Sequence, residues 1–412
     1  MTTHASADSS AHDIDSAYAW RRLWVALALG TIGSVGMWSF VVALPAVQAD
    51  FGVARGAASL PFTLTMVGFG GGGILMGRLA DKYGVVCPLL IGAVILVIGY
   101  VLSGFAANIW QFALTQGLIG LGTSGSFGPL MADISHWFEK RRGIAVSIAS
   151  CGNYLSGAIW PPLIQYFIST QGWRVTQVGI GLICAVAMVP LILAMRRRAP
   201  SHPVMAAGTV SSGTRGTLGL SSNTLMTLLI IAGVACCVAM SMPQVHIVAY
   251  CGDLGYGPAR GAEMLSAMLG FGLISRVACG FVADRIGGVA TLLISSVLQG
   301  AALFLYLLFD GLASLYVISA LFGLFQGGIV PMYAIIIREY FSPGEAGTRL
   351  GIVLMATLGG MALGGWMSGV IFDFTGSYMA AFLNGLAWNL VNVLIVSWLL
   401  LQRGQRSPAV AA

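Results

Sequence analysis

An arginine inside a long apolar run is the residue of this chain whose type and position most directly suggest chemistry. Arg276 lies eight residues before Asp284, which is about 12 Å along a helix. A guanidinium can donate two parallel hydrogen bonds to a carboxylate, and an ionised side chain far from water is expensive enough to imply a role. We therefore expect Arg276 to bind an anionic ligand; snorkelling of its head toward water, or bonding to backbone carbonyls, is the structural alternative.

The acidic residues that could neutralise this arginine are predicted to lie at other depths in the membrane. They are Asp133, Asp253, Glu263, Asp310 and Asp373, each near the end of an apolar run. We therefore expect a ligand carboxylate to provide the counter-charge for Arg276.

Other polar residues inside apolar runs are weaker candidates for the same site. His246 could exchange a proton near neutral pH, although a structural histidine is an equal alternative. Asn153, Tyr154, Gln326 and Tyr333 could line a cavity, but helix packing explains them as well.

Composition determines the environment in which these residues must work. Only 8% of the 412 residues are charged and 57% are apolar, whereas an ordinary soluble domain has roughly 25% charged residues. A bilayer is the solvent that fits, and the chain has room for about twelve spans of roughly 20 residues. We predict an all-α integral membrane protein with twelve transmembrane helices. The predicted spans are 23–44, 60–79, 86–105, 109–131, 143–168, 175–195, 225–250, 262–282, 289–309, 312–337, 350–372 and 378–401.

The basic residues predict the orientation of these spans. Sixteen of the 20 Lys and Arg residues fall at the termini and the even-to-odd loops, and only Arg55, Arg174 and Arg260 fall on the other side. By the positive-inside rule, both termini are cytoplasmic and the chain lies in the cell inner (plasma) membrane. The net charge of +6 is then a matter of topology, and no clustered surface for nucleic acid is expected.

Several other function classes lack their signatures. The seven cysteines form no CxxC pair, so we expect no metal site. GxGxxG patterns begin at Gly68 and Gly120, but both lie inside apolar spans without the strand that a dinucleotide site needs. With no HExxH, P-loop or GxSxG motif either, we expect neither an enzyme nor a bound cofactor.

The chain is an internal duplication. The run Gly77 to Gly84 (GRLADKYG) follows the second predicted span, and Gly280 to Gly287 (GFVADRIG) follows the eighth. Upstream of each copy is an Arg-Gly-Ala word, at Arg55 and at Arg260. An even number of spans between copies predicts two parallel six-helix halves, with the substrate path between them near the midplane. The predicted boundaries are a cytoplasmic tail 1–22, a half 23–195, a cytoplasmic loop 196–222, a half 223–401 and a cytoplasmic tail 402–412.

The duplicated loops resemble the signature loop of the major facilitator superfamily, and the resemblance covers the whole chain. In that family the loop latches the two halves on the cytoplasmic side, with glycine permitting a tight turn and the acid able to cap a neighbouring helix. The generic alternative is a helix–helix turn. The residues to which the resemblance assigns this latch are Gly77, Arg78, Asp81, Lys82, Gly84, Gly280, Asp284, Arg285 and Gly287.

A second set of words resembles the monocarboxylate transporter family and the oxalate–formate exchangers. It comprises Trp137 to Ala145 (WFEKRRGIA), Gly172 to Arg174 (GWR) and His246 to Tyr250 (HIVAY). In those relatives an arginine at the place of Arg276 binds the substrate carboxylate.

The chain departs from these relatives at three positions. The first span has no lysine, Gly272 stands where an acid precedes the arginine, and the eleventh span has no basic residue. Proton coupling by the mammalian mechanism and recognition of a dianion by two cations are therefore not implied, and a single cation favours monoanions.

The leading hypothesis is accordingly a carrier of small organic anions, foremost monocarboxylates. Its expected partners are a small-molecule carboxylate, a proton as candidate co-transported ion and the lipid bilayer, with a monomer as the functional unit. A drug or cation antiporter is an alternative, although it usually needs an embedded acid. A transporter-like receptor that senses a ligand without moving it is another alternative. Long cytoplasmic tails would favour a receptor, and the predicted tails are short.

Overall fold

A computed structural model of the chain describes residues 14–197 and 220–404. Within these two ranges the chain is almost entirely α-helical and contains no strand. Most of the predicted N-terminal tail, most of the central loop and the last residues of the C-terminal tail lie outside the described residues.

Nine helices of the described residues precede the central loop. They are α1 (Ala17–Gly33), α2 (Val35–Phe51), α3 (Arg55–Tyr83), α4 (Val86–Gly104), α5 (Ile109–Ser124), α6 (Gly128–Trp137), α7 (Arg142–Ser150), α8 (Gly152–Gln171) and α9 (Trp173–Ala194).

Seven described helices follow the loop. They are α10 (Ser222–Asp253), α11 (Pro258–Ile286), α12 (Gly288–Leu308), α13 (Leu312–Gln326), α14 (Ile329–Tyr340), α15 (Pro343–Thr375) and α16 (Tyr378–Gly404).

These helices divide into two compact units. The first unit falls within Met1–Val53 and Leu60–Val204, and the second within Ala54–Ser59 and Met205–Ala412. Helix α3 is therefore shared, because its first turn belongs to the second unit and the rest to the first. Pro61, just after this division, lacks the amide hydrogen that a helix interior uses.

The predicted all-α, twelve-span membrane fold is confirmed. Ten stretches of the described chain are long and apolar enough to cross a bilayer. The fourth and fifth predicted spans correspond to the pairs α5–α6 and α7–α8, each of which is interrupted near its middle. With α1–α2 and α13–α14 likewise taken as pairs, the described helices before and after the loop make six spans each.

The interruptions within spans follow from local sequence, although the apolar runs alone did not predict them. Between α5 and α6 the chain reads Gly125-Ser126-Phe127, and Pro129 lies in the first turn of α6. Between α13 and α14 two consecutive glycines, Gly327 and Gly328, end the helix. Non-helical backbone at membrane depth is tolerated only where protein or a cavity satisfies its polar groups, so these breaks mark protected positions.

Glycine contacts bring helices of the first unit close together. A Cβ at Gly68 would meet the carbonyl of Gly117, and a Cβ at Gly120 would meet that of Thr65. Small residues that let backbones approach are how helices associate in lipid, where apolar burial gives no driving force between them.

An ion pair buried in the first unit links α1 to α6. Arg22 donates to both carboxylate oxygens of Asp133 at 2.7 and 2.9 Å, and to the carbonyl of Met195 at 3.2 Å. Its guanidinium also lies 4.6 Å from the ring centre of Trp137. The side chains of the pair are only 1% and 7% exposed, so neither charge has water as an alternative partner.

Removing one partner of this pair should be strongly destabilising. We expect Asp133→Asn to lower the unfolding free energy by about 3–5 kcal/mol, because Arg22 would keep a buried, uncompensated charge. The exposed pair Arg174–Asp50 provides a matched control, and Asp50→Asn should cost about 0–1 kcal/mol. Thermal unfolding in detergent measures both changes. Equal losses of stability in the two variants would contradict the larger contribution of the buried pair.

Candidate functional site

The break between α13 and α14 packs against α11 within the second unit. A Cβ at Gly327 would meet the backbone of Gly272, and a Cβ at Gly328 would meet the side chain of Cys279. The amide of Gly328, left free by the end of α13, donates to Ser275 Oγ at 3.1 Å. Glycines on one element and small side chains on the other thus fit this stretch of α11 closely to the break.

Arg276 flanks this contact. It follows Ser275 directly and stands four residues after Gly272, so it lies beside the packed face of α11. The side chain is half-buried, although α11 as a whole is apolar enough to span a bilayer. The sequence-predicted arginine therefore lies mid-helix beside a helix break that the sequence did not reveal.

Gln326, the last residue of α13, is a buried polar group at the same break. Its side chain is fully buried, and neither amide atom forms a hydrogen bond to any described residue. Buried polar groups are normally satisfied by protein or water, so a buried amide of this kind is where a polar ligand or a water molecule is expected.

Tyr333 lies in the helix core of the second unit. It is fully buried, and its hydroxyl lies 3.5 Å from Cys236 Sγ and 3.4 Å from Asn392 Oδ1. Asn392 in turn donates to Ser296 Oγ at 2.7 Å. These contacts connect α14 to α10, α16 and α12.

Asn153 and Tyr154 lie in the first unit, on α8. The backbone and side-chain oxygens of Asn153 both accept from Trp38 Nε1 at 3.1 Å. Tyr154 is buried on the same helix.

The duplicated loops have the backbone that their glycines suggest. Gly84 ends α3 with φ 82° and Gly287 ends α11 with φ 88°, a left-handed conformation that favours glycine. A Cβ at Gly77 or Gly280 would have no described atom within 4 Å.

The charged residues of these loops are exposed. Among them, Lys82 Nζ lies 5.1 Å from the ring centre of Tyr83. The role of the loops as a latch stays a prediction. The exposed charged residues are Arg78, Asp81, Lys82, Asp284 and Arg285.

Glu339, which the sequence analysis did not single out, caps the N-terminus of α12. Glu339 Oε1, near the end of α14, accepts the amide of Gly288, the first residue of α12, at 3.0 Å. A carboxylate at a helix N-terminus satisfies a free amide and complements the helix dipole. The signal available in the sequence was the pair Arg338-Glu339 that ends the tenth span.

Sequence reasoning also missed the group that we name the Arg55 cluster: Arg55, His246, Asp253, Asp373 and Tyr378. Arg55 is 7% exposed and holds both oxygens of Asp253 at 3.0 and 3.2 Å. It also donates to the hydroxyl of Tyr378 at 2.6 Å. His246, predicted as a substrate residue, belongs to this cluster: Nδ1 lies 3.0 Å from the Tyr378 hydroxyl.

Asp373 fixes the backbone of the same cluster. Its two carboxylate oxygens accept the amides of Arg55 and Gly56, each at 2.7 Å. A Cβ at Gly369, one turn earlier on α15, would meet Ser59 and the carbonyl of Arg55. The first turn of α3 is thereby capped and held against α15 within the second unit.

The remaining acids near span ends also have partners. Glu263 accepts from Arg260 at 3.0 Å and from the hydroxyl of Tyr316. Together with Asp133, Asp253 and Asp373, four of the five acids singled out in the sequence are bound to groups other than Arg276.

Comparison with known families decides the class of this chain. The sequence profile of the Major Facilitator Superfamily matches residues 26–312 and 253–412. This chain belongs to the Major Facilitator Superfamily.

Similar sequences and structures agree with that membership. The chain is 29% identical over 372 residues to monocarboxylate transporter 13 of Bos taurus, covering 87% of this chain and 82% of the relative. It is 29% identical over 324 residues to monocarboxylate transporter 11 of Homo sapiens, covering 74% and 66%. A bacterial homologue of the human lysosomal transporter Spinster, solved facing inward and occupied, superimposes with a TM-score of 0.68 at 16% identity over 94% of this chain and 96% of that one.

The function follows at the level of the family. This major facilitator is a multi-pass membrane transporter with a small-molecule substrate, as its relatives are. The resemblance to monocarboxylate transporters expected from the sequence is confirmed by the relatives that it matches.

The contact between the helix break and α11 predicts a sensitive position. We expect Gly327→Ala to destabilise the protein by about 1–3 kcal/mol, because its Cβ would overlap the Gly272 backbone. Gly351, in the interior of α15, provides a matched control, since its Cβ would meet no described atom within 4 Å; Gly351→Ala should stabilise its helix by about 0.5–1 kcal/mol. Thermal unfolding in detergent measures both, and equal shifts would contradict the close contact.

Proposed function

We propose that this transporter carries small organic anions, foremost monocarboxylates, by alternating access of the halves 23–195 and 223–401. The observation that carries the proposal is Arg276, a half-buried guanidinium in the middle of a membrane-spanning helix.

The chemistry of that position supports an anionic substrate. A charge inside a span is costly, so an ionised residue there is a functional-site candidate by default. A guanidinium binds a carboxylate through two parallel hydrogen bonds, and this contact strengthens where water is scarce. Gln326, buried at the adjoining helix break, is suited to a further hydrogen bond with the same ligand.

The relatives support the same substrate class. Two of them are named as monocarboxylate transporters, and their similarity to this chain extends over most of its length. A single arginine matches one carboxylate, so we propose monoanions rather than dianions as substrates.

The remaining features of the proposal concern the setting. We propose that the protein works as a monomer in the cell inner membrane with both termini cytoplasmic, which the distribution of basic residues supports. A co-transported proton is proposed as the driving ion.

Substitution of Arg276 tests the substrate class. We expect Arg276→Gln to reduce carboxylate uptake into proteoliposomes more than about tenfold, since it removes charge-assisted hydrogen bonds worth about 1.5–3 kcal/mol each. Arg276→Lys should recover only part of the uptake, because charge returns without the planar fork. A carboxylate should raise the apparent thermal stability of the wild type, whereas its amide analogue should not.

Arg260→Gln is the matched control on the same helix, since Arg260 is exposed and pairs with Glu263. Uptake by this variant should stay near that of the wild type. Undiminished uptake by Arg276→Gln, or equal stabilisation by carboxylate and amide, would show that Arg276 is structural. A competition panel of carboxylates and organic cations separates the proposal from a cation antiporter, and counterflow separates it from a receptor.

The proposed latch gives a different expectation. Asp81→Asn should slow uptake by about tenfold through the conformational equilibrium, while the stabilisation of the protein by a carboxylate stays unchanged. Asp310→Asn, at the opposite ends of the helices, is the control and should change neither the uptake nor the stabilisation by a carboxylate. Loss of ligand stabilisation in Asp81→Asn with normal exchange between conformations would refute the latch.

A further inference from the structure

The two copies of the Arg-Gly-Ala word have different surroundings. Arg260, in the second copy, has a 52% exposed side chain and pairs with Glu263 on its own helix. Arg55, in the first copy, has a 9% exposed side chain and is held by residues of α10, α15 and α16. A role in starting the helix would be common to both copies, so the burial of Arg55 calls for another explanation.

The hydrogen bonds of the Arg55 cluster run in one direction. A guanidinium can only donate and a carbonyl can only accept, so the two ends are fixed: Arg55 donates to the Tyr378 oxygen at 2.6 Å, and His246 Nε2 donates to the carbonyl of Gly365 at 2.8 Å. With its hydrogen on Nε2, neutral His246 accepts at Nδ1 from the Tyr378 hydroxyl at 3.0 Å. With a neutral histidine, every donor in the chain Arg55 to Tyr378 to His246 to Gly365 therefore has an acceptor.

We infer that His246 is a proton-binding site and that its protonation releases Arg55 from the Arg55 cluster. The inference deepens the proposed function by naming where the co-transported proton acts, and it rests on that function only in assuming a cycle of conformations.

The physical reason is a conflict of donors. A proton added at Nδ1 would place an N–H against the O–H of Tyr378 at the observed distance of 3.0 Å. Tyr378 would then have to turn its hydrogen away, lose its acceptor, and receive both the imidazolium and Arg55 on one oxygen. Protonation of His246 would therefore cost the Tyr378 hydroxyl its acceptor and bring two cationic donors to one oxygen, so it disfavours the observed arrangement by linkage.

The charges around His246 allow it to be protonated once the arrangement opens. On the first turn of α3 stands Arg55, on α10 Asp253, and on α15 Asp373. Two carboxylates face one guanidinium, so the Arg55 cluster has a formal charge of −1 that a proton on His246 would neutralise. From α16 the uncharged Tyr378 contacts the histidine, and Tyr250 of α10 packs its ring on Tyr378 at 5.5 Å.

Other charged residues of the second unit near this end lie outside the Arg55 cluster. Asp310, after α12, accepts the Tyr256 hydroxyl at its backbone carbonyl. On α11, Arg260 and Glu263 bond to each other and to Tyr316. The Arg55 cluster therefore contains its own complement of charges, and His246 is its one imidazole, beside a guanidinium, two carboxylates and a phenol.

The consequence of release would appear at Ser59. This residue is fully buried, one turn after Arg55, and a Cβ at Gly369 would lie 2.6 Å from its hydroxyl. When Arg55 leaves its partners, the first turn of α3 can separate from α15 and expose this position.

Thiol labelling of Ser59→Cys tests the inference in proteoliposomes without substrate. We expect labelling by a membrane-impermeant maleimide to rise about tenfold as the pH falls from about 8 to about 5, a range that spans histidine titration. Rates are taken relative to Ser169→Cys, an exposed position, because thiols themselves react more slowly at low pH. The parent chain with its seven native cysteines gives the background.

Two variants identify the responsible group. His246→Gln can accept from Tyr378 and donate to Gly365 but cannot take a proton, so labelling at Ser59→Cys should stay low at every pH. Tyr378→Phe keeps the pair Arg55–Asp253 but removes the hydroxyl between Arg55 and His246, so the response to pH should be lost. Arg55→Gln should expose the position at every pH.

Two results would overturn the inference. One is labelling of Ser59→Cys, in the otherwise unchanged chain, that does not vary with pH. The other is an unchanged pH response of this labelling in both His246→Gln and Tyr378→Phe. The substrate proposal is tested separately, because the response should persist in Arg276→Gln. A lost pH response with normal carboxylate stabilisation would refute only the proton site, and the reverse result would refute only the anion site.

Discussion

The pairing of a buried arginine with a carboxylate on another helix is the interaction on which much of the described structure depends. Arg22 and Asp133 fix α1 against α6, and Arg55 with Asp253 fixes the first turn of α3 against α10. A buried guanidinium does not have water as an alternative partner, so each pair is a positional constraint that is costly to break. Apolar burial gives little driving force for helix association in lipid. Such ion pairs and close glycine packing therefore determine where the helices lie.

The same constraint separates a permanent contact from one suited to change. The pair Arg22–Asp133 is buried on both sides, at 1% and 7% exposure, whereas Asp253 keeps 38% of its side chain exposed. Water can therefore replace Arg55 as the partner of Asp253, so separating this pair costs less free energy than separating Arg22 from Asp133. A transporter needs both kinds of contact, since some helices must keep their places while others are released.

The sequence was sufficient for the class and the spans, because composition is a local signal. It also singled out Arg276 as a charge within an apolar run, whose role stays a prediction. It was not sufficient for the helix break at Gly327 beside α11, since an apolar run looks the same whether or not the helix is continuous. Nor did it reveal the Arg55 cluster, whose acids lie 198 and 318 residues from Arg55 along the chain. His246 was a candidate for substrate contact, yet its two hydrogen bonds go to Tyr378 of that cluster and to the carbonyl of Gly365. A lone polar residue in a span does not tell which neighbour it will meet.

Pro61 gives the first turn of α3 a mechanical independence. Without an amide hydrogen at this position, the carbonyl one turn earlier has no helical partner, and the helix is weakest just after the residues that Asp373 caps. The turn from Arg55 to Ser59 can thus pivot as a short rigid piece while the remainder of α3 stays intact. If protonation of His246 releases Arg55 as we infer, this end of α3 is the part of the helix where a backbone hydrogen bond is already missing.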